Sequence, residues 1–135
     1  MIGAGSATPL QMANAYATFA AHGVYCTPIG ITSVKDSNGK SYEVPIPKCH
    51  QVLTPDVADK VAVTLQGVLH AGGRSAAIPR PAAGKTGTTQ IIAPNGSQNG
   101  TVGSFSGIFP MNNPRVAITV VVHRPRTSIY GSVVA

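Results

Sequence analysis

Six consecutive residues, Gly84-Lys85-Thr86-Gly87-Thr88-Thr89, combine one cation, two glycines and three hydroxyls. The Lys ammonium is a compact charge with three donors, and each Thr hydroxyl adds another. Glycine has no Cβ, so a second backbone can lie close against the chain there. Together these properties suit a carboxylate or a phosphate. The phosphate-loop reading needs Gly-x-x-x-x-Gly-Lys-Thr between a strand and a helix. Its first glycine would fall at Pro79. The stretch before it, Gly72 to Pro81, reads as a loop, and Gln90-Ile91-Ile92-Ala93-Pro94-Asn95-Gly96 after it does not read as a helix. Two readings remain. One is an edge strand, Ala82 to Thr89, that presents Lys85 and its threonines to a carboxylate. The other is a Gly/Thr turn with a solvated Lys.

Composition narrows the company such a site can keep. The chain has 135 residues, 43% of them hydrophobic and only 10% charged, so it can bury a core and does not read as disordered. Ten Lys and Arg against four Asp and Glu give a net charge of +6. The basic residues are scattered and form no run or helix face, so no nucleic-acid partner is expected. A weak attraction to anionic membrane or wall polymers is compatible with this charge. Asp36 and Glu43 sit near a predicted hairpin, and Asp56 and Asp59 near a helix start, which gives no glycosidase-type carboxylate pair. His22, His50, His70 and His123 lack metal-ligand spacing, and no metal or cofactor is expected. No apolar run reaches transmembrane length, and Met1-Ile2-Gly3-Ala4-Gly5 lacks the charged start of a signal peptide.

The elements that must position the strand follow in order. Thr8-Pro9 predicts a helix start, with Thr as N-cap and Pro at the first helical position. That helix runs from Leu10 to Ala21 and ends at Gly23, with Met12, Tyr16, Phe19 and Ala20 as its apolar stripe. Val24 to Val34 reads as a strand, Asp36-Ser37-Asn38-Gly39-Lys40 as a hairpin turn, and Ser41 to Ile46 as the returning strand. Folding about Asn38 brings position 26 opposite about position 50, so Cys26 and Cys49 land near each other. They form either a disulfide, in an oxidising compartment, or two reduced thiols. Thr54-Pro55 starts a second helix, with Asp56 and Asp59 placed in its first turn and Val57, Val61, Leu65 and Val68 as its stripe. Gly72-Gly73 stops it, and Arg74 to Pro81 leads into the Lys-Thr-Gly strand. Ile91 to Val102 reads as a Gly/Asn/Ser-rich connection, Ser104 to Phe109 as a short strand, and Arg115 to His123 as the clearest strand in the chain. The fold class is therefore α/β of the α+β type, with antiparallel strands packed against helices. An open sheet of this kind is unlike a whole domain.

Lys85-Thr86-Gly87 on a strand matches the Lys-Thr-Gly element of serine acyl-transferases that react with penicillin. Its surroundings, Arg80-Pro81-Ala82-Ala83-Gly84-Lys85-Thr86-Gly87-Thr88-Thr89-Gln90, resemble the third strand of high-molecular-weight penicillin-binding proteins. Thr8 to Ala20 resembles the family's helix after its Ser-x-Asn element, and Leu65-Gln66-Gly67-Val68 also fits. Gly23-Val24-Tyr25-Cys26-Thr27-Pro28 with the later Cys49 is similar to bifunctional, class A members from actinobacteria, where the cysteine pair recurs. Ser104-Phe105-Ser106-Gly107-Ile108-Phe109-Pro110 departs from the usual Trp-containing strand, which keeps the monofunctional class B in view. Tyr130 to Ala135 is similar to the segment just before the closing helix. The resemblance implies a piece of the penicillin-binding and serine β-lactamase-like fold. Residues 1–135 would be the C-terminal part of one transpeptidase domain, without its nucleophile helix and final helix. Such a chain alone is expected to be poorly stable, and a cooperative thermal transition in it would contradict that.

The resemblance also implies a reaction and roles. A serine attacks the D-Ala-D-Ala bond of a peptidoglycan stem peptide, D-Ala leaves, and a neighbouring amine accepts the acyl group. Lys85 supplies positive potential for the substrate carboxylate and helps proton movement. Thr86 and Thr88 donate hydroxyl hydrogen bonds to that carboxylate, Gly87 admits the substrate backbone, and Thr89 extends the binding strand. The Thr88 N–H forms half of an oxyanion hole. β-Lactam antibiotics would acylate the same serine. The implied location is the outer face of the bacterial membrane, with any membrane anchor in a parent protein. Ser37-Asn38-Gly39-Lys40 matches Ser-x-x-Lys but sits in a hairpin turn. Ser97-Gln98-Asn99 matches Ser-x-Asn but follows the Lys-Thr-Gly strand instead of preceding it. Neither is taken as catalytic, so this chain alone is expected to be inactive. Two further classes stay open: a D,D-carboxypeptidase or β-lactamase-type hydrolase of the same fold, and a catalytically inactive interaction remnant.

Overall fold

A computed structural model describes residues 5–71 and 81–135. Helix α1 (Pro9–Ala20) starts where Thr8-Pro9 places it. Thr8 Oγ1 accepts from the Gln11 N–H at 3.2 Å, and Gln11 Oε1 accepts from the Thr8 N–H at 2.8 Å. This reciprocal cap satisfies two of the donors that a helix start leaves open. At the other end, His22 and Gly23 turn through the left-handed region, with φ of 53° and 87°. The Gly23 N–H donates back to Thr18 O at 2.9 Å. A Cβ on Gly23 would collide with the Leu53 carbonyl, so only glycine lets the next segment cross here.

The predicted long hairpin is two short ladders. β1 (Val24–Cys26) pairs with β4 (Cys49–Gln51), and β2 (Val34–Lys35) pairs with β3 (Ser41–Tyr42). The expected strands Val24 to Val34 and Ser41 to Ile46 do not persist. Pro28, Pro45 and Pro47 lack the N–H a ladder needs, and Gly30 adds backbone freedom. The turn itself is held by Asp36, whose Oδ1 accepts from the Asn38 and Lys40 N–H groups at 2.9 and 3.0 Å.

Cys26 lies directly opposite Cys49 in the β1–β4 ladder, and their sulfurs are bonded. The link closes a loop with a sequence separation of 23. A loop of that size stabilises by about 3 kcal/mol through the unfolded chain. Reduction of the intact domain, or replacement of both cysteines by serine, is expected to lower the melting temperature by several degrees. Equal melting curves with and without reductant would refute that.

Helix α2 (Pro55–Ala71) follows Thr54, with Asp56 in its first turn. Asp59 lies further along, and its Oδ1 is 2.7 Å from His22 Nδ1, which ties α2 to the end of α1. The predicted stop at Gly72-Gly73 and the loop Arg74 to Arg80 lie outside the described residues. Then come β5 (Ala83–Ile92), β6 (Gln98–Phe109), β7 (Val116–His123) and a four-residue helix, α3 (Gly131–Val134). The three strands form one antiparallel sheet in the order β5-β6-β7.

The stretch read as a connection is the end of this hairpin. Gln90 pairs with Thr101 and Ile92 with Gln98 across an irregularity, and a turn at Ala93–Ser97 closes the ladder. Polar composition misled here because a paired partner strand stabilises residues of low β-propensity.

The core lies between the sheet and α1 and α2. Ala83 and Ile108 meet Tyr16 and Ala62, with Ala20, Leu65, Met111 and Ala117 around them. Helix α1 keeps Tyr16 and Ala20 of its expected stripe on the core, and α2 keeps Leu65, but the first residue of each stripe turns outward and α2 buries alanines instead. Met12 is 37% exposed and Val57 44%, while Ala58 and Ala62 are buried at 0% and 3%. Ala62 meets Ala83 and Ile108 there because a small side chain lets the helix approach the sheet closely. The buried Ser106 hydroxyl is satisfied by Thr119 Oγ1 at 2.9 Å.

Candidate active site

Alternation along β5 sends Ala83, Lys85, Gly87 and Thr89 to one face and Gly84, Thr86 and Thr88 to the other. Ala83 is fully buried under α1 and α2. Lys85, two residues on, shares that face but is exposed. Its Nζ donates to Thr86 O at 2.8 Å, which folds the ammonium back along the strand. Among the described residues Lys85 makes no ion pair; the pairs there are His22–Asp59 and Lys60–Asp56. Its positive charge is uncompensated at close range and available to an anion.

β5 is an edge strand, paired only with β6 among the described strands. Its outer backbone groups face no strand of this sheet. An extended peptide can add there through main-chain hydrogen bonds. Thr86 is half-buried, and Thr88 and Thr89 are exposed.

The glycines answer to β6 as well as to any ligand. A Cβ on Gly84 would stand 2.6 Å from Phe105 Cζ and 2.7 Å from Ser106 O. A Cβ on Gly87 would meet only the Ser104 hydroxyl, at 2.6 Å, and that group can rotate away. Gly84 is therefore required by the strand behind it. Gly87 keeps the freedom to serve a ligand in front.

Lys85, Thr86, Gly87, Thr88 and Thr89 are gathered on one edge because they are consecutive. The two rejected motifs lie elsewhere. Ser37 and Lys40 belong to the β2–β3 turn, where Lys40 Nζ sits 5.4 Å from the Tyr42 ring centre. Ser97 is tied into its own turn, its Oγ donating to Asn95 Oδ1 at 2.7 Å. No group of three or more His, Cys, Asp and Glu comes together among the described residues. His50 packs its ring edge-on to Tyr25 at 5.5 Å. No described helix is long and apolar enough to cross a membrane.

One neighbour of the site was invisible in the sequence. Thr88 Oγ1 accepts from the Gly131 N–H at 3.0 Å across 43 positions. The tail, read as the segment just before the closing helix, forms the short α3 against β5 and β6. Nothing local to Tyr130-Gly131 signals that contact.

A helix-covered antiparallel sheet whose free edge carries Lys-Thr-Gly defines the penicillin-recognising fold. The chain belongs to the family described as penicillin binding protein transpeptidase domain, which matches residues 2–135. The chain is 31% identical to peptidoglycan D,D-transpeptidase FtsI of Escherichia coli, over 91% of this chain and 20% of that protein. It is 39% identical to penicillin-binding protein 1A of Aquifex aeolicus, over 65% of this chain and 12% of that protein. Among solved structures, penicillin-binding protein 3 of Mycobacterium tuberculosis in complex with aztreonam superposes with a TM-score of 0.82 and 32% identity. That match covers 92% of this chain and 31% of the other. The chain thus spans about an eighth to a fifth of the length of these two sequence relatives.

Proposed function

We propose that the chain supplies the carboxylate-binding and oxyanion-binding side of a peptidoglycan D,D-transpeptidase site. The observation that carries this reading is the open β5 edge, which presents the exposed Lys85 from one face of the strand and the Thr86 and Thr88 hydroxyls from the other. A stem peptide laid along that edge brings its terminal carboxylate to Lys85 and the threonine hydroxyls. Gly87 lets its backbone lie close, and Thr89 extends the contact. The Thr88 N–H donates to the oxygen that becomes negative as the carbonyl is attacked.

The serine Oγ attacks the carbonyl carbon of the penultimate D-Ala, and its proton passes to a base. The C–N bond breaks and D-Ala leaves as the protonated amine. An acceptor amine then attacks the ester carbonyl, forms the new amide and restores the serine. The only Ser-x-x-Lys match here lies in the exposed β2–β3 turn, so a segment other than residues 1–135 supplies the nucleophile. Residues 1–135 are proposed as part of one transpeptidase domain on the outer face of the bacterial membrane. β-Lactams are proposed to occupy the same edge, which the aztreonam complex of the mycobacterial relative supports.

Class A is the finer proposal, supported by the resemblance of the Cys26 and Cys49 pair to that class. Relatives named penicillin-binding protein 1A and FtsI match alike and do not separate the classes. A glycosyltransferase domain ahead of this chain in its parent protein would decide for class A. The reading as a whole is tested by incubating the intact transpeptidase domain with fluorescent penicillin. A covalent, denaturation-resistant label on one serine is expected. No label on the folded domain would exclude the proposed activity.

A further inference from the structure

The first helical N–H of α3 belongs to Gly131. Tyr130 stands at the N-cap and makes no side-chain cap bond. An N–H at a helix start needs an outside acceptor. Gly131 finds one in Thr88 Oγ1, at 3.0 Å. The contact is built for glycine. A Cβ on Gly131 would overlap Gly87 O and come within 2.7 Å of Ser104 O and 2.9 Å of Ser104 N. These are backbone atoms of β5 and β6, which cannot yield without distorting the ladder. β6 makes the reciprocal demand. A Cβ on Gly103 would stand 2.6 Å from Val134 Cγ2 and 3.2 Å from Gly131 Cα. α3 is thus seated on the backbone of the strand that carries Lys85 and Thr88.

A threonine hydroxyl has one proton to donate and two positions for accepting. Gly131 occupies one accepting position of Thr88. The hydroxyl proton therefore cannot point at α3, and it is left to donate away from it. We infer that Gly131 is a positioning residue. Its N–H orients the Thr88 hydroxyl to donate to the ligand carboxylate, and its close packing holds Gly87 and Thr88 in register for the oxyanion contact. This inference rests on the carboxylate-binding role proposed above for Thr88.

The test uses the intact transpeptidase domain and two probes, a penicillin and the same penicillin with its carboxylate methylated. The ratio of their acylation rates reads recognition of the carboxylate. Wild type is expected to prefer the free acid. Gly131→Ala is expected to lower that preference on the order of tenfold, the worth of one hydrogen bond to a charged group. Thr88→Val is expected to do the same, and Thr88→Ser to retain the preference. In the Thr88→Val background, Gly131→Ala is expected to change the preference no further, because both act through one hydroxyl. Multiplying losses, or an undiminished preference in folded Gly131→Ala, would overturn the inference and leave the proposed function standing. A wild type that no penicillin acylates would remove both.

Amide exchange reads the coupling without altering Gly131. In Thr88→Val the Gly131 amide is expected to exchange on the order of tenfold faster, having lost its acceptor. An unchanged rate would overturn the inference.

Discussion

Lys85→Ala in the intact transpeptidase domain is expected to lower penicillin acylation on the order of 10²–10³-fold, the loss typical of a charge-stabilising donor in such a site. Lys85 stands exposed on the open β5 edge, makes no ion pair among the described residues, and donates only to Thr86 O. Alanine removes the charge while leaving the strand ladder untouched, because that ladder is built from backbone groups. The loss is expected in the acylation step and in recognition of the free carboxylate together. Lys85→Arg keeps the charge but not the compact shape, and is expected to fall between. Lys40→Ala is the matched control, since Lys40 belongs to the exposed β2–β3 turn. It is expected to leave acylation unchanged. Single-turnover labelling decides the matter. If Lys40→Ala abolished labelling and Lys85→Ala did not, the site would be wrongly placed.

Ile108→Ala is expected to cost about 2–5 kcal/mol of stability, the range for emptying a buried aliphatic site. Ile108 is 1% exposed and lies opposite Ala83 on one side and Ala117 on the other. Tyr16 and Ala62 close over it from the two helices. Small neighbours cannot swing in to fill the space, so the cavity persists. The melting temperature is expected to drop by roughly 5–20 °C. Lys60→Ala gives the contrast. Its pair with Asp56 is 2.8 Å long, but the two side chains are 75% and 70% exposed. An exposed pair of this kind contributes less than about 1 kcal/mol. Equal melting curves for Ile108→Ala and wild type would show that the core has been misplaced.

Residues adjacent in sequence were the legible part. Lys85, Thr86, Gly87, Thr88 and Thr89 are legible as one edge strand because a strand keeps consecutive residues together. Both helix starts were legible for the same reason. Thr-Pro carries the N-cap and the preset φ within two residues, and Pro9 and Pro55 open α1 and α2. The β7 strand showed itself through its β-branched run, and the turn at Asp36 to Lys40 through Asn-Gly.

The errors came where a partner decides. The stripe expected on α1 holds at Tyr16 and Ala20, whereas that on α2 rests on large residues of which Val57 is exposed. The buried positions are instead Ala58 and Ala62, and Ala62 packs on Ala83 and Ile108 of the sheet, where its size permits close approach. The long strand after Gly23 ends ahead of its one proline, Pro28, and the polar stretch after Gln90 is strand because β5 and β6 pair there.

By itself, the sequence determined the family, the fold class and the Lys-Thr-Gly edge, since each is written in short-range residue types and spacings. The tertiary structure alone decided which helix faces close the core and how far β5 and β6 run. It also decided that Gly131 lies on Thr88. Those outcomes depend on contacts between segments distant in the chain. In the last, a helix start without a cap of its own takes its acceptor from a strand 43 residues earlier.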